Sequence, residues 1–295
     1  MNKPKISIVI PTLNRKKELI NCLNSIKQQS YPNYSIIVVD NCSSDETSKL
    51  IKKEFPKVNL IKNRKNLGFA KALNQGLRLS IKLGQPDFYF VLNDDAILDK
   101  NCLSELIKLI KSDEKIGAVG PIIFSMNKTN RIQSFGESFY PFLFITLHND
   151  RNKLFTEKYG QIKEPDFISG CAMLLRDEVI KKVGLFDENY FAYYEDLDLS
   201  FRIRKAGYKL LATPDARIWH CNHSDKKYKT LKLYLKTKNS LFFIKKNYKG
   251  FSKLLNLIGF VVFFIPMNLI INIEHPLASI KAILKAIFQY KHAFC

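Results

Sequence analysis

Acidic residues are scarce in this chain. Its 295 residues hold 27 Asp and Glu against 47 Lys and Arg, a formal net charge of +20. That balance points to an anionic partner: a nucleotide diphosphate, an anionic lipid surface or nucleic acid. No homeodomain, zinc-finger or RNP-like run is present, so nucleic acid is set aside. The six cysteines, at 22, 42, 102, 171, 221 and 295, form no Cys-x-x-Cys pair, which leaves reduced, buried thiols as the expectation. His220-Cys221-Asn222-His223 lacks the spacing of a zinc site. Neither Gly-x-Gly-x-x-Gly nor Gly-x-x-x-x-Gly-Lys occurs, which argues against a backbone phosphate cradle and makes a metal the natural counter-ion. No signal peptide is expected, because only five apolar-rich residues separate Lys5 from Pro11.

What is present supports a soluble core. Hydrophobic residues make up 46% and charged residues 25%, enough for one large or two modest domains. Residues 6–10 read as a buried strand, and Asn14 is placed to cap a helix over about 15–29. Residues 35–39 form a second strand ending in Asp40. Ser43 with Glu46 reads as a capping box for a helix near 45–54. A short strand at 58–61, a helix near 69–83 and a strand at 88–92 follow. Strand–helix repetition of this kind predicts an α/β fold: a mostly parallel central sheet with helices on both faces. Further on, a helix at 101–112 and strands at 117–124 and 167–175 are expected, with Gly170 allowing a close approach. A helix spans 178–183. Another opens at 193–198 and stops at Gly207. Residues 208–211 and 216–219 read as two short edge strands. Residues 125–163 have no clear period and read as a variable region that shapes the second substrate.

In such sheets ligands gather at the carboxyl ends of the strands. Thr12, Asn14, Asp40 and Asp95 all lie just beyond such ends. The apolar run into Asn93-Asp94-Asp95 is the centre of the reading. Alternation in an extended chain puts Asn93 and Asp95 on one face and Asp94 on the other. Asn93 and Asp95 then offer hard oxygen ligands suited to Mg²⁺ or Mn²⁺; the alternative is an ordinary polar turn. Glu195, Asp196 and Asp198 put three carboxylates within four residues. A helix dipole accounts for one or two, and crowding raises carboxylate pKa values, which suits a general base. His220 ends a strand, as the other candidates do.

These pieces, taken in order, resemble family 2 glycosyltransferases, especially bacterial rhamnosyltransferase-like members. They are Ser7-Ile-Val-Ile-Pro-Thr-Leu-Asn-Arg15, Val38-Val-Asp-Asn-Cys-Ser-Ser-Asp45, Asn66-Leu-Gly-Phe-Ala-Lys-Ala-Leu-Asn-Gln-Gly76, Leu92-Asn-Asp-Asp95, and Gly184-Leu-Phe-Asp187 leading to Tyr194-Glu-Asp-Leu-Asp198. The resemblance covers about residues 5–245. It implies a GT-A fold and inverting transfer of one sugar from a nucleoside-diphosphate sugar. It also implies roles. Pro11, Thr12, Asn14 and Asp40 would hold base and ribose. Asn66, Gly68 and Asn74 would lie against the nucleotide and sugar, with Asp94 beside them. Asp95, Asn93 and His220 would hold the metal. Asp196 would be the base, paired with Glu195. Three departures stand out. Cys42 sits where relatives usually have Gly, Ser224 follows the histidine by four residues instead of five, and the Gln-x-x-Arg-Trp pattern of processive synthases is missing.

The domain reading is a catalytic domain over 1–245, with a nucleotide-binding half (1–100) and an acceptor half (101–245), followed by helices over 246–295. Residues 254–273 carry no charge, yet Asn256, Pro266, Asn268 and Asn272 interrupt them and lysines flank both sides. That pattern predicts a monotopic or re-entrant segment on an anionic leaflet, with an interfacial helix over 277–290. A helical pair packed on protein and a true span are the alternatives. The resulting expectation is an enzyme at the cytoplasmic face of the cell membrane, peripheral or monotopic, acting on a glycan or lipid-linked acceptor. A nucleotidyltransferase of related fold and a non-catalytic membrane scaffold are the competing functions.

Overall fold

A computed structural model describes residues 3–126, 130–147, 150–221 and 229–292. The chain divides into two compact units. The first comprises Met1–Glu137, His148–Phe191 and Glu195–Asn222, and the second Ser138–Leu147, Ala192–Tyr194 and His223–Cys295.

The first unit is built on a mixed sheet. Its strands are β1 (Ile6–Thr12), β2 (Tyr34–Asp40), β3 (Asn59–Lys62), β4 (Phe88–Leu92), β5 (Ala96–Leu98), β6 (Ile116–Ser125), β7 (Ile132–Ser134), β10 (Ala172–Arg176) and β11 (Lys209–His220). The order is β3-β2-β1-β4-β10-β6-β11-β5, with β7 on β6. β1, β2, β3 and β4 pair in parallel, as the strand–helix repetition requires. β10 then runs antiparallel to both β4 and β6. It thereby carries Gly170 and Cys171, just ahead of its first residue, to the carboxyl end of β4.

Alternation along each strand fills both faces. Ile8, Ile10 and Val38 pack with Leu19, Leu23 and Ile26 of α1 (Lys16–Lys27). Val9, Val91 and Met173 pack on the other side with Leu73 and Leu77 of α3 (Phe69–Lys82) and Leu199 and Ile203 of α6 (Glu195–Lys205). Each such buried aliphatic contributes roughly 1.5–3 kcal/mol. The remaining helices here are α2 (Thr47–Glu54), α4 (Cys102–Lys111) and α5 (Asp177–Val183).

Two expectations about capping are corrected. Asn14 does not cap α1: its Oδ1 accepts from the Ser44 N–H at 2.7 Å, while the Lys16 N–H at the head of α1 donates to Asp45 at 3.0 Å. No Ser43–Glu46 capping box forms either. Ser43 Oγ accepts from the Asn14 N–H at 2.9 Å, and Asp45 accepts from the Thr47 N–H at 3.2 Å. Asp45, in the loop after β2, thus accepts at the heads of both α1 and α2, while Asn14 and Ser43 tie the two loops to each other. The two edge strands expected at 208–211 and 216–219 are one strand, β11, held inside the sheet between β6 and β5 with an irregularity between Thr213 and Arg217. Pro214 and Asp215 sit in that irregularity and read locally as a break.

Among its described residues the second unit has a hairpin, β8 (Ser138–Tyr140) with β9 (Ile145–Leu147), and four α-helices: α7 (Lys229–Asn247), α8 (Gly250–Gly259), α9 (Ile265–Ile271) and α10 (Pro276–His292). A π-helical turn, Phe260–Phe264, joins α8 to α9 in a 22-residue rod, Gly250–Ile271, long and apolar enough to cross a bilayer. The buried ring of Phe144 lies at the centre of this unit, 6.0–6.4 Å from the rings of Tyr194, Phe243, Phe260 and Phe264. A Cβ at Gly259 would stand 1.8 Å from the Phe142 carbonyl oxygen, so only glycine fits there. The polar interruptions of the rod face inward. Asn256 and Asn268 are buried and donate to the carbonyls of Ser252 and Phe264. Phe251, Leu254, Ile258, Val261 and Val262 are exposed.

Candidate functional site

The apolar strand β4 ends at Leu92, and Asn93-Asp94-Asp95 is the turn that joins it to β5. The turn corrects the expected alternation, because Asp94 does not point away from Asp95. The guanidinium of Arg15, just before α1, donates to Asp95 at 2.8 Å and to Asp94 at 3.3 Å. Burial, followed by the charge of Asp95, pushes the Asp94 pKa up to about 6 against the pull of Arg15 and Thr12. Asp94 and Asp95 are almost wholly buried, so this cation is what makes their charge tolerable.

His220 closes the other side. Its Nε2 lies 3.0 Å from Asp95 Oδ1 and 3.1 Å from the Asn93 amide, and its Nδ1 lies 2.8 Å from the Gln133 amide. Burial works against the charged ring, but the Cys171 sulfur and the Asp95 carboxylate outweigh it and push the pKa up to about 11. An imidazolium donates from both nitrogens. A half-turn of each amide, exchanging its nitrogen and oxygen, gives the ring the acceptors it then requires.

The carboxylate pair at the head of α6 lies at the same end of the sheet. Asn93 donates its N–H to the Cys171 carbonyl at 2.9 Å, and the preceding residue, Gly170, donates its N–H to Asp196 Oδ2 at 2.9 Å. Asp196 Oδ1 accepts from the Leu197 N–H at 2.8 Å. Glu195 is buried, and its pKa is raised well above the usual carboxylate range by that burial and then by Asp196. Its Oε2 has no hydrogen-bond partner among the described residues. Asp198 has a different task. It pairs with Arg202 at 2.9 Å, and that guanidinium also binds the carbonyls of Val183, Gly184 and Leu185.

A second polar group forms where β1 and β2 end. Thr12 and Asp40 are direct partners in the parallel register, with Pro11 beside Val39. Asp40 is fully buried and accepts from the Ser43 N–H at 2.7 Å and from Ser48 Oγ. Asn41 donates to Asn66 Oδ1 at 2.8 Å and to the Gly68 carbonyl at 3.2 Å. Gly68 has φ +85, and a Cβ there would stand 2.5 Å from the Phe191 carbonyl oxygen. Asn74 stands apart from this group. Its amide is buried and spent on Phe186 N–H, Phe186 carbonyl and Glu188, tying the 184–188 turn to α3. Sequence reasoning missed Arg15, Asn41 and Gln133. Arg15 stood inside a quoted motif, but its partners lie 79 and 80 residues away.

Residues 7–184 match the profile described as Glycosyl transferase family 2. The chain belongs to that family. The glycosyltransferase is 26% identical to the N-acetylglucosaminyl-diphospho-decaprenol L-rhamnosyltransferase of Mycobacterium tuberculosis over 233 residues, 73% of this chain and 75% of the other. It is 27% identical to the dTDP-rhamnosyl transferase RfbF of Shigella flexneri, over 82% and 81% of the two chains. Among solved structures, the mannosyltransferase PcManGT from Pyrobaculum calidifontis, in complex with GDP-Man and Mn²⁺, superposes with a TM-score of 0.62 at 16% identity, covering 100% of this chain and 77% of that one. GalNAc-T7 with UDP, GalNAc and Mn²⁺ gives 0.63 at 18%, covering 86% of this chain. The transferase spans about half of that second structure, 53%. These neighbours share the GT-A architecture.

Among the described residues no group of three or more His, Cys, Asp or Glu is arranged to hold a metal ion. The set that fits one chemically is Asp95, His220 and the amide of Asn93, an oxygen, nitrogen and oxygen group of the kind Mg²⁺ and Mn²⁺ accept. The Arg15 guanidinium supplies positive charge next to Asp95 in this structure. Asn222, His223 and Ser224, including the four-residue offset noted above, lie outside the described residues.

Proposed function

We propose that the glycosyltransferase moves one sugar, of the rhamnosyl or hexosyl type, from a nucleoside-diphosphate donor to a lipid-linked glycan acceptor in bacterial surface polysaccharide synthesis, with inversion. One observation carries this reading. Asp196 and the Asn93–Asp95 turn are hydrogen-bonded to consecutive residues, Gly170 and Cys171. A base and a leaving-group site therefore sit at one end of one sheet.

In this reading Asp40, Thr12 and Pro11 line the place for base and ribose, with Asn14, Asn66 and Gly68 at its rim. Asp196 takes the proton of the acceptor hydroxyl as the new bond forms, and the Gly170 N–H orients its carboxylate. Burial and the neighbouring Asp196 raise the Glu195 pKa, which favours Asp196 as the charged member of the pair. Arg15 and His220 lie where negative charge develops on the departing diphosphate. A bound Mg²⁺ or Mn²⁺ would be held by Asp95, the Asn93 amide oxygen and His220 once that ring has given up its proton, and would supply Lewis-acid stabilisation of the leaving group.

The second unit suits an anionic membrane at the cytoplasmic face of the cell membrane, in a peripheral or monotopic mode. Residues 229–292 contain eleven lysines and one acidic residue, Glu274, and one face of the apolar rod is exposed. The names of the two rhamnosyltransferase relatives support the donor and the lipid-linked acceptor. The test is a panel of dTDP-, UDP- and GDP-sugars with Mn²⁺ or Mg²⁺ and a polyprenyl-diphosphate glycan acceptor, scored for nucleoside diphosphate release. Folded protein that is silent across the panel would favour a non-catalytic scaffold instead.

A further inference from the structure

Tyr193 and Tyr194 have φ values of 71° and 76°. Two consecutive residues with side chains in the left-handed region are unfavourable, because Cβ crowds the following carbonyl. Such backbone persists only where its surroundings hold it. The next residue is Glu195, the first of α6, and then Asp196.

Side chains of the second unit hold this turn. Asn239, within α7, is buried and donates one amide to two carbonyls, Ala192 at 2.8 Å and Tyr193 at 2.7 Å. Ser240 has one proton, which goes to its own helix at the Lys236 carbonyl, 2.7 Å away. Its lone pair is then left to accept from the Tyr194 hydroxyl at 2.8 Å. The Tyr194 ring stacks on Phe144 with an interplanar angle of 10°. Lys232 and Lys236 lie over the Tyr193 ring at 5.4 and 6.0 Å. Asparagine is a poor helix former, and α7 gains nothing locally from burying it. Both of its donors serve a three-residue segment 46 and 47 positions earlier.

We propose that Asn239 and Ser240 are positioning residues for glycosyl transfer: they lock the left-handed Tyr193–Tyr194 turn, the segment that runs straight on in sequence to Glu195 and Asp196. The proposal rests on the reading of Asp196 as the base.

The experiment uses the full chain and compares wild type with N239A, S240A, Y194F and the double variant N239A/Y193G. Readouts are kcat and KM for nucleoside diphosphate release, binding of dTDP and UDP by calorimetry, and amide hydrogen exchange. N239A is expected to lower kcat at least tenfold while nucleotide binding stays within twofold of wild type. Amide exchange is expected to quicken over residues 195–198 and to stay unchanged over 88–95. Glycine adopts positive φ without being held, so Y193G in the N239A background is expected to recover threefold or more of the lost kcat. S240A and Y194F are expected to show smaller losses of the same kind and serve if N239A does not fold. An unchanged kcat in N239A, or unchanged exchange at 195–198, overturns the proposal. So does a loss that Y193G does not relieve. If D196N turns over like wild type, the reading of Asp196 has failed, and the exchange measurement still judges the clamp on its own.

Discussion

Gly170 donates its backbone N–H to the carboxylate of Asp196 at 2.9 Å. This bond joins a turn just ahead of β10 to the first turn of α6, and the next residue, Cys171, is bonded to Asn93. Two distant parts of the chain, at Asn93 and Asp196, are thus held by the consecutive residues Gly170 and Cys171.

Replacing Asp196 with Asn keeps the side chain's shape and its place as acceptor for Gly170 but removes the basic carboxylate. The expected result is retained binding of nucleoside diphosphate with a kcat lowered by roughly 10²–10⁴. Calorimetry and a release assay measure the two halves. Loss of both together would make Asp196 a structural residue.

Chelation tests the other half of the site. EDTA treatment is expected to reduce nucleoside diphosphate release by roughly 100-fold or more, with recovery on adding Mn²⁺ or Mg²⁺. Asp95→Ala is expected to bind Mn²⁺ measurably more weakly by paramagnetic relaxation of water protons. Turnover that EDTA leaves intact would remove the metal from the mechanism.

Legibility followed the reach of each interaction. β1 and β4 were plain because buried parallel strands are unbroken apolar runs, and α1 and α3 because their apolar spacing repeats every turn. The acids at the strand ends were legible from topology alone. Asn14 and Ser43 were misread because their partners sit across space, in loops some 30 residues apart. β11 looked like two strands because Pro214 interrupts the pattern while the pairing resumes at Arg217. The stretch 125–163 hid three short strands, each of three residues, too brief to show a period.

Cys42 has φ 81 and an exposed side chain, in the turn that follows Asp40. Its backbone adopts the conformation that glycine favours. Cys42→Gly is expected to raise stability by about 1 kcal/mol, read as an increased urea midpoint at unchanged slope. A lower midpoint would mean that the Cys42 thiol's contact with the Arg64 carbonyl outweighs the backbone strain.

Asp177 gives a pH-dependent test away from the site. Burial raises its pKa, but bonds from Lys181, from the Tyr89 hydroxyl at 2.7 Å and from Gln85 outweigh burial and hold it below the usual carboxylate value. A depressed folded-state pKa contributes stability above the unfolded value near 4, and that contribution is lost as pH falls through the folded value. Asp177→Asn is expected to cost roughly 1–3 kcal/mol at pH 7. The difference from wild type should shrink steadily below pH 4 in urea titrations. A pH-independent difference would mean that the bonds do not depend on charge.

Gly259 works like the notch of a key. With the Phe142 carbonyl filling the space a side chain would need, the rod Gly250–Ile271 has a single rotational setting about its own axis. Phe251, Leu254, Ile258, Val261 and Val262 are therefore turned outward as a fixed greasy stripe, whatever later covers it. A bulkier residue at position 259 would scramble which side of the rod is wet.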